Sequence, residues 1–442
     1  MTMQLHDYQR RASEWLERHP RAILAIEMGL GKTATVLDYI NRLRPATCLI
    51  VAPKRVAETV WMQEADKWDL TEVHDKMVIV KGTKDRRMKL LSDTSRPYKV
   101  IGRDNVADCK RMSFDLVVLD ELTSFKSVTS QRSKAIASVR SPRVIGLTGT
   151  FLANGAIDIY GQAQAVGLAG LLGRNFFSWR ASYFYDALAG SGLMFHKWKP
   201  AATLQCILRP LQDHIFTLLA ADYLDLPPVS EHEHRVTLSD GERTAYDSAE
   251  AFLGADFGSG VVESVDEAAK FAKLQTLCNG FMYRDDGSVV STWTTTKFDQ
   301  VAEFCARAYG EGEQVLLFYA YRYEAECLTA KLKAAGVPVC NVKDSGALDS
   351  WHRREAGVML AHPASAGHGL NLQHEGRLIV WSSVTYNFEH FAQANARLAR
   401  QGQTLPVEIH YFTATGTIEE AQRRALSKKA KEQGTFEMLT RV

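Results

Sequence analysis

Glu27-Met28-Gly29-Leu30-Gly31-Lys32-Thr33 follows directly on the apolar run Ala22-Ile23-Leu24-Ala25-Ile26. A buried strand that runs into a Gly-rich turn closing with Gly-Lys-Thr can cradle phosphate. The backbone N–H groups of the turn point at phosphate oxygens, and the helix that follows offers its positive end. In this pattern Lys32 can reach the β and γ phosphates, and the Thr33 hydroxyl can ligate Mg²⁺. The full G-x-x-x-x-G-K-T pattern is not met, because Ile26 stands where the first Gly would be. Gly-Lys-Thr on its own is also compatible with a simple turn at a helix start. The preceding strand favours nucleotide binding, and neither feature says what the nucleotide drives.

Two further groups could act on such a nucleotide. Asp120-Glu121 ends the apolar run Asp115-Leu116-Val117-Val118-Leu119, about 90 residues after the phosphate loop. Acids at the end of a buried strand are costly unless they are used. Asp120 is placed to hold Mg²⁺ through its water shell, and Glu121 to orient or deprotonate an attacking water. Arg397 and Arg400, three residues apart in Gln393–Gln403, are expected to share one helix face. Guanidiniums brought to a γ-phosphate act as arginine fingers, worth roughly 10³–10⁵ in rate in other NTPases. Leu147-Thr148-Gly149-Thr150 ends another strand and can hydrogen-bond the Asp-Glu segment. In isolation each of these has a plainer reading, as a strand-end turn or an exposed helix.

The elements that must position these groups are legible as a repeating pattern. Apolar runs at 22–26, 47–52, 77–81, 98–101, 115–119 and 143–147 alternate with helix-like stretches at 33–43, 57–68 and 130–138. This predicts a parallel sheet covered on both faces, with ligands at the carboxyl ends of its strands. Residues 156–225 lose the alternation, are rich in aromatics and Leu, and read as a mostly helical insertion. Leu226-Pro227-Pro228 is a natural linker, since two prolines cannot continue a helix or a central strand. A second β/α series follows, with strands at 315–319, 337–339, 357–360, 377–381 and 407–411.

At 442 residues the chain exceeds one ordinary core. Its 46% hydrophobic and 24% charged composition is that of a globular protein. No apolar run is long enough for a membrane span, and the first residues lack a signal-peptide core, so a cytoplasmic location is expected. The seven cysteines form no C-x-x-C pair and suggest neither zinc nor disulfides. His232 and His234 alternate in what reads as a strand and, with no Cys or acidic cluster near in sequence, read as surface residues. The net charge of +2 does not announce a nucleic-acid binder, although Lys81–Arg111 holds ten Lys/Arg against four Asp. That stretch and the basic tail Arg423–Lys431 could neutralise phosphates, or be solvated helix faces.

Taken in order, these motifs resemble those of the superfamily 2 motors, and within them the Swi/Snf-type DNA translocases. Leu5-His6-Asp7-Tyr8-Gln9 is similar to that family's L-x-x-Y-Q, and Ile23–Thr33 to I-L-A-D-E-M-G-L-G-K-T. Ala52-Pro53-Lys54 with Trp61, Glu64 and Trp68 resembles the next block. Asp120-Glu121 with Lys126 follows D-E-A-H-x-x-K, and Leu147–Thr150 with Asn154 follows L-T-G-T. Leu226-Pro227-Pro228, Gly367–Leu372, Gln393–Gln403 and Thr417-Ile418-Glu419-Glu420 resemble L-P-P, G-x-G-x-N-L, Q-A-x-x-R-x-x-R-x-G-Q and T-x-E-E. The resemblance spans residues 5–436. Ile26, Leu122-Thr123, Phe151 and Ala366 depart from the family pattern beside matched residues, as in a divergent subgroup. The length leaves no room for chromatin-reading domains and resembles that of compact bacterial and phage members.

The resemblance implies an α/β fold of two RecA-like, doubly wound parallel-sheet lobes with helical insertions. It implies an ATP-binding lobe over 1–225 (helical insertion about 156–225), a linker with helical insertion over 226–296, and a second lobe over 297–442. Gln9, Met28, Gly29, Leu30, Gly31, Lys32 and Thr33 would bind ATP, with Gln9 reading adenine, and Thr33 and Asp120 would hold Mg²⁺. Lys32, Asp120, Glu121, Arg397 and Arg400 would carry hydrolysis. Pro53, Lys54, Thr148, Gly149, Gly369 and Asn371 would border DNA, and Thr148, Thr150 and Gln393 would couple the two events. The activity implied is a DNA-dependent ATPase that moves along duplex DNA, as a monomer directed by a recruiting protein. Its alternatives are a strand-separating helicase, a non-motor ATP switch that recruits a partner, and a metabolic P-loop NTPase.

Overall fold

A computed structural model describes residues 4–441 apart from 154, 190–197, 254–264, 285, 291–295, 367–371 and 374. The chain divides into two compact units, Met1–Leu224 with Lys431–Val442, and Asp225–Ala430.

The first unit is built on seven strands: β1 (Arg21–Ile26), β2 (Cys48–Ala52), β3 (Met77–Val80), β4 (Tyr98–Gly102), β5 (Leu116–Leu119), β6 (Arg143–Thr148) and β7 (Ile215–Leu218). All pair in parallel, in the order β3-β4-β2-β5-β6-β1-β7. Nearly every residue of β1, β2, β4, β5 and β6 is buried, as their unbroken apolar runs require of strands covered on both faces. The first six strands lie within two residues of their predicted positions. β7 falls inside 156–225, the stretch read as mostly helical. Ile215-Phe216-Thr217-Leu218 is too short to show a period, and it is a strand because the free edge of β1 accepts it over four residue pairs.

The sheet order does the positioning. β5, β6 and β1 are neighbours, so the turns that follow them open at one edge of the sheet. Those turns hold Asp120-Glu121, Thr148-Gly149-Thr150 and Glu27–Thr33. Beneath them a core cluster packs Leu49, Val51, Leu119, Leu122, Phe125 and Phe151. The C-terminal residues complete this unit. Phe436 packs on Phe151 at 4.8 Å between ring centroids, and the Gln433 side chain accepts the Leu152 N–H at 2.9 Å.

The second unit contains β8 (Val229–Val236), β9 (Val315–Phe318), β10 (Val339–Asn341), β11 (Val358–Ala361), β12 (Leu378–Trp381) and β13 (Val407–Ala414). These too are all parallel, in the order β8-β13-β12-β9-β11-β10. Alternate residues feed two separate cores. Leu316, Phe318, Ile379 and Trp381 face one side, and Val315, Leu317, Leu378 and Val380 the other. β8 begins just after Pro227-Pro228 and pairs along its whole length with β13. It is an edge strand and mostly exposed, and its Glu, His and Arg side chains discourage further pairing.

One ion pair is fully enclosed in this unit. Lys297 Nζ lies 2.5 Å from Glu419 Oε1, with side-chain exposures of 1% and 5%. Glu419 Oε2 accepts the Ala414 N–H at 2.9 Å, so both carboxylate oxygens are held. Glu419 lies in the segment matched to T-x-E-E, and its neighbours Thr417 and Ile418 are buried as well. Removing one partner of such a pair leaves a buried charge without compensation. Lys297→Met is expected to lower unfolding stability by about 3–5 kcal/mol in a urea titration. Adding Glu419→Gln should recover part of that loss.

Candidate nucleotide site

The phosphate loop leaves β1 with its two glycines in the left-handed region, Gly29 at φ +90° and Gly31 at φ +75°. Only glycine adopts these angles freely, and they turn successive N–H groups toward one side. The helix Lys32–Leu43 starts at Gly31 with no side-chain cap, so its first N–H groups face the turn. Lys32 Nζ donates to the Ile26 carbonyl at 2.9 Å, which folds the amine back over the loop. Thr33 is the second residue of the helix and half-buried.

Gln9 is part of this loop's support. It is 3% exposed in the helix Asp7–Arg18, where its Oε1 accepts the His6 N–H at 2.9 Å. Its Nε2 donates to the Leu30 carbonyl at 3.1 Å. A Cβ on Gly31 would lie 2.2 Å from that nitrogen, so the glycine is required by close approach as well as by φ. Next to Gln9, His6, Asp7, Tyr8, Arg11 and Tyr223 line an open cleft. The Tyr8 and Tyr223 rings lie 4.7 Å apart, and Arg11 donates to the Tyr223 hydroxyl at 2.9 Å. Such walls suit a planar base. Tyr223, in the stretch just before the linker, carried no sequence signal for this.

Asp120 is 7% exposed. Its Oδ2 accepts the Trp61 indole N–H at 3.2 Å, and its Oδ1 accepts the Glu121 N–H at 3.1 Å. Burial pushes its carboxyl pKa above the ordinary range, opposed by the Lys32 charge and then by these two hydrogen bonds. Trp61 was legible only as a member of a matched block; its helix, Trp61–Lys67, follows β2, the neighbour of the strand that ends at Asp120. Glu121 takes φ +52°, which is uncommon for a side chain that is not glycine. Thr148 is fully buried, and its hydroxyl accepts the Thr150 N–H at 3.1 Å. A Cβ on Gly149 would meet Met28 at 3.2 Å and Lys32 Nζ at 3.4 Å, so this glycine lets the Thr-Gly-Thr turn lie against the phosphate loop. Lys32, Asp120 and the Thr148–Thr150 turn thus converge, and Glu121 stands beside them.

The donor set fits Mg²⁺. A hydroxyl and a carboxylate are hard oxygen ligands, and Asp120 is held in place by two donors while the Lys32 charge favours its ionised form. Pro53 and Lys54 follow β2, the first buried and the second exposed. Gly369 and Asn371 lie outside the described residues, as does Asn154.

The arginine segment differs from its predicted form. Arg397 and Arg400 do not share a helix face, because the helix Phe388–Asn395 stops before them. Asn395 Oδ1 accepts the Trp381 indole N–H at 2.9 Å, and Arg397 N bonds the Ala394 carbonyl at 3.1 Å in a tight turn. The turn carries Leu398 into the core, and buried Gln403 fastens its far side through the Gly376 carbonyl at 2.9 Å. Arg397 is 8% exposed, and its Nε donates to the Gln393 carbonyl at 3.2 Å, which ties the two matched residues together.

The basic stretch 81–111 is partly structural. Lys99 is buried and donates to the Leu90 carbonyl at 2.7 Å, and Arg87 pairs with Asp108 at 2.7 Å. Lys81, Lys84, Arg86, Lys89, Arg96, Lys110 and Arg111 remain exposed. Among the described residues no helix is long and apolar enough to cross a membrane.

A phosphate loop in one RecA-like unit, followed in sequence by a second parallel-sheet unit, is the construction of a helicase-like ATPase. Comparison with known proteins agrees. The SNF2-related domain model matches residues 8–281. Protein p41 of Acyrthosiphon pisum secondary endosymbiont phage 1 is 30% identical over 429 residues, covering 91% of this chain and 91% of its own length. An uncharacterized ATP-dependent helicase of Mycoplasma genitalium is 24% identical over 461 residues, 96% of this chain and 42% of its own. An ISWI chromatin-remodeling complex ATPase of Saccharomyces cerevisiae is 24% identical over 456 residues, 94% of this chain and 39% of its own. This chain belongs to the SNF2-related family, and it spans about two-fifths of those two longer relatives.

The Trp61 contact gives a direct test of Asp120. Its hydrogen bond favours the charged carboxylate, so Trp61→Phe should raise the Asp120 pKa further. The acid limb of the ATPase pH profile is then expected to move to higher pH. The Mg²⁺ concentration for half-maximal ATP hydrolysis should rise about tenfold, the size of one hydrogen bond to a charged group.

Proposed function

We propose that this chain is a DNA-stimulated ATPase that translocates along duplex DNA. The observation that carries the reading is the convergence of Lys32, Asp120 and Thr148-Gly149-Thr150 at adjacent strand ends, in a chain of the SNF2-related family. The relatives named as a helicase and as a chromatin-remodeling ATPase support it.

In this reading the phosphate-loop N–H groups and Lys32 bind the ATP phosphates, and the base lies against the cleft wall that Tyr8 and Tyr223 form. Thr33 and Asp120 hold Mg²⁺, which supplies charge neutralisation at the phosphates. Glu121 orients the attacking water and takes its proton. Arg397 and Arg400 meet the γ-phosphate when the two units close on ATP, and release it when they open. Pro53, Lys54, Thr148, Gly149, Gly369 and Asn371 border the DNA backbone. Thr148, Thr150 and Gln393 link that contact to the nucleotide, so that each cycle advances the chain along one strand. It acts as a monomer in the cytoplasm, directed by a recruiting protein. The exposed part of 81–111 adds phosphate contacts that weaken with salt.

Steady-state ATPase of the unaltered chain and Lys32→Ala, with no nucleic acid, duplex DNA, single-stranded DNA or RNA, tests the reading. Stimulation of at least tenfold by duplex DNA, absent in Lys32→Ala, is expected, together with displacement of a third strand from a triplex. Arg397→Ala should lower the stimulated rate by roughly 10³-fold or more. Stimulation by single strands alone would instead indicate a strand-separating helicase. Nucleotide-dependent DNA binding without turnover would indicate a switch, and an ATPase indifferent to nucleic acid would overturn the reading.

A further inference from the structure

The parallel pairing of β8 with β13 builds a histidine cluster that no run of sequence contains. His232 and His410 are register partners, Ser230 is opposite Glu408, and His234 is opposite Phe412. Side chains two residues apart on a strand share a face, so Glu408, His410, His232 and His234 stand together on one side of the sheet. The His232 and His410 rings stack at 4.8 Å between centroids, and those of His234 and His410 at 5.2 Å. The donor atoms of His232, Glu408 and His410 all lie within 4.8 Å of one another, the one such group among the described residues.

The surroundings of these side chains give the cluster a direction. His410 is 7% exposed, and among the described residues its buried Nε2 has no partner within hydrogen-bond geometry. That nitrogen faces Glu408 Oε2 at 3.4 Å, close to the spacing of two ligands on one small cation. On its other side His410 Nδ1 lies 3.0 Å from His234 Nε2. With the proton on Nδ1 and donated to His234, His410 presents a lone pair on Nε2, the arrangement in which metal-bound imidazoles are usually held. Glu408 is anchored through Oε1 by Arg377, which also pairs with Glu313 at 2.9 Å, and this leaves Oε2 on the histidine side. His232 is exposed and lies 3.1 Å from the Ser230 hydroxyl, so its ring can turn toward the other two.

We infer that His232, Glu408 and His410 form a binding site for a divalent transition-metal cation of the zinc class, with His234 orienting His410. Two imidazoles and a carboxylate are the ligand types such cations select over Mg²⁺ and Ca²⁺. Three protein ligands leave one position for water, so the cation is exchangeable. It joins β8 to β13 by a bond between side chains, and thereby pins the strand that begins immediately after Pro227-Pro228. The site lies wholly in the second unit and shares no residue with the nucleotide site.

The test uses the full chain, stripped with chelator, and Zn²⁺ or Co²⁺ alone as probe. Equilibrium dialysis is expected to show one Zn²⁺ per chain. Co²⁺ should give a visible d–d band without the intense charge-transfer absorption of thiolate ligands. His232→Ala and Glu408→Gln should each weaken binding at least about tenfold, the range seen when even an outer partner is removed. His232 is exposed, so its variant should keep the circular dichroism and metal-free melting temperature of the unaltered chain. Cys206→Ser should leave binding unchanged. No stoichiometric uptake, or uptake unchanged in both His232→Ala and Glu408→Gln, would overturn the inference. Neither result bears on DNA-stimulated ATP hydrolysis, which is measured separately in Mg²⁺.

Discussion

A carboxylate in a protein interior needs donors and a cation to favour its ionised form, and the nucleotide site is built around one such carboxylate, Asp120. It is 7% exposed at the end of a buried strand. Trp61 and the Glu121 backbone hold its two oxygens, and the Lys32 charge opposes the burial that would neutralise it. Each donor comes from a different stretch of chain. The first unit brings them together because β2, β5, β6 and β1 are consecutive in a parallel sheet, with Trp61 after β2, the acid after β5 and Lys32 after β1. Displacing β2 would take Trp61 from the acid, and displacing β1 would take Lys32.

Three of the departures from the family pattern, Leu122, Phe151 and Ile26, are absorbed by this same architecture. Leu122, where the family carries Ala, is fully buried, and the missing Cβ of Gly146 makes room for it at 2.6 Å. Phe151, where the family carries Pro, is fully buried against Phe436. Ile26 is buried too, and it contributes only its carbonyl, as acceptor for Lys32. At all three positions an apolar side chain has gone into the core, while Lys32, Asp120, Glu121 and Thr148 keep their polar groups at the sheet edge. Packing can drift in this way without touching the chemistry, since the site uses the ends of the strands and the core uses their faces.

Much of this was readable in advance for a simple reason. Parallel strands covered on both faces must be nearly continuous apolar runs, and turns that hold phosphate must have glycine at positive φ. Hence β1 to β6 and the loop Glu27–Thr33 stand out in the chain. β7 did not, because Ile215-Phe216-Thr217-Leu218 is equally good in a buried helix and only the free edge of β1 decides otherwise. The helix through Arg397 and Arg400 was overstated because the i, i+3 spacing is indifferent to whether the turn between is helical. Here Trp381 engages Asn395, and Leu398 turns into the core.

The sequence by itself determined the grammar of this protein: two β/α series, a phosphate loop, an acidic strand end and a Pro-Pro break between. These are local, since strand burial, turn geometry and proline chemistry act over a few neighbouring residues. Only the tertiary structure decided which distant residues meet. It set Gln9 on the Leu30 carbonyl, Trp61 on Asp120, Tyr223 beside Tyr8, and His232 beside His410 across 178 positions of chain. Such meetings follow from strand order and register. Those are fixed by which buried edges and faces satisfy one another across the whole fold, a condition that no short stretch of residues records.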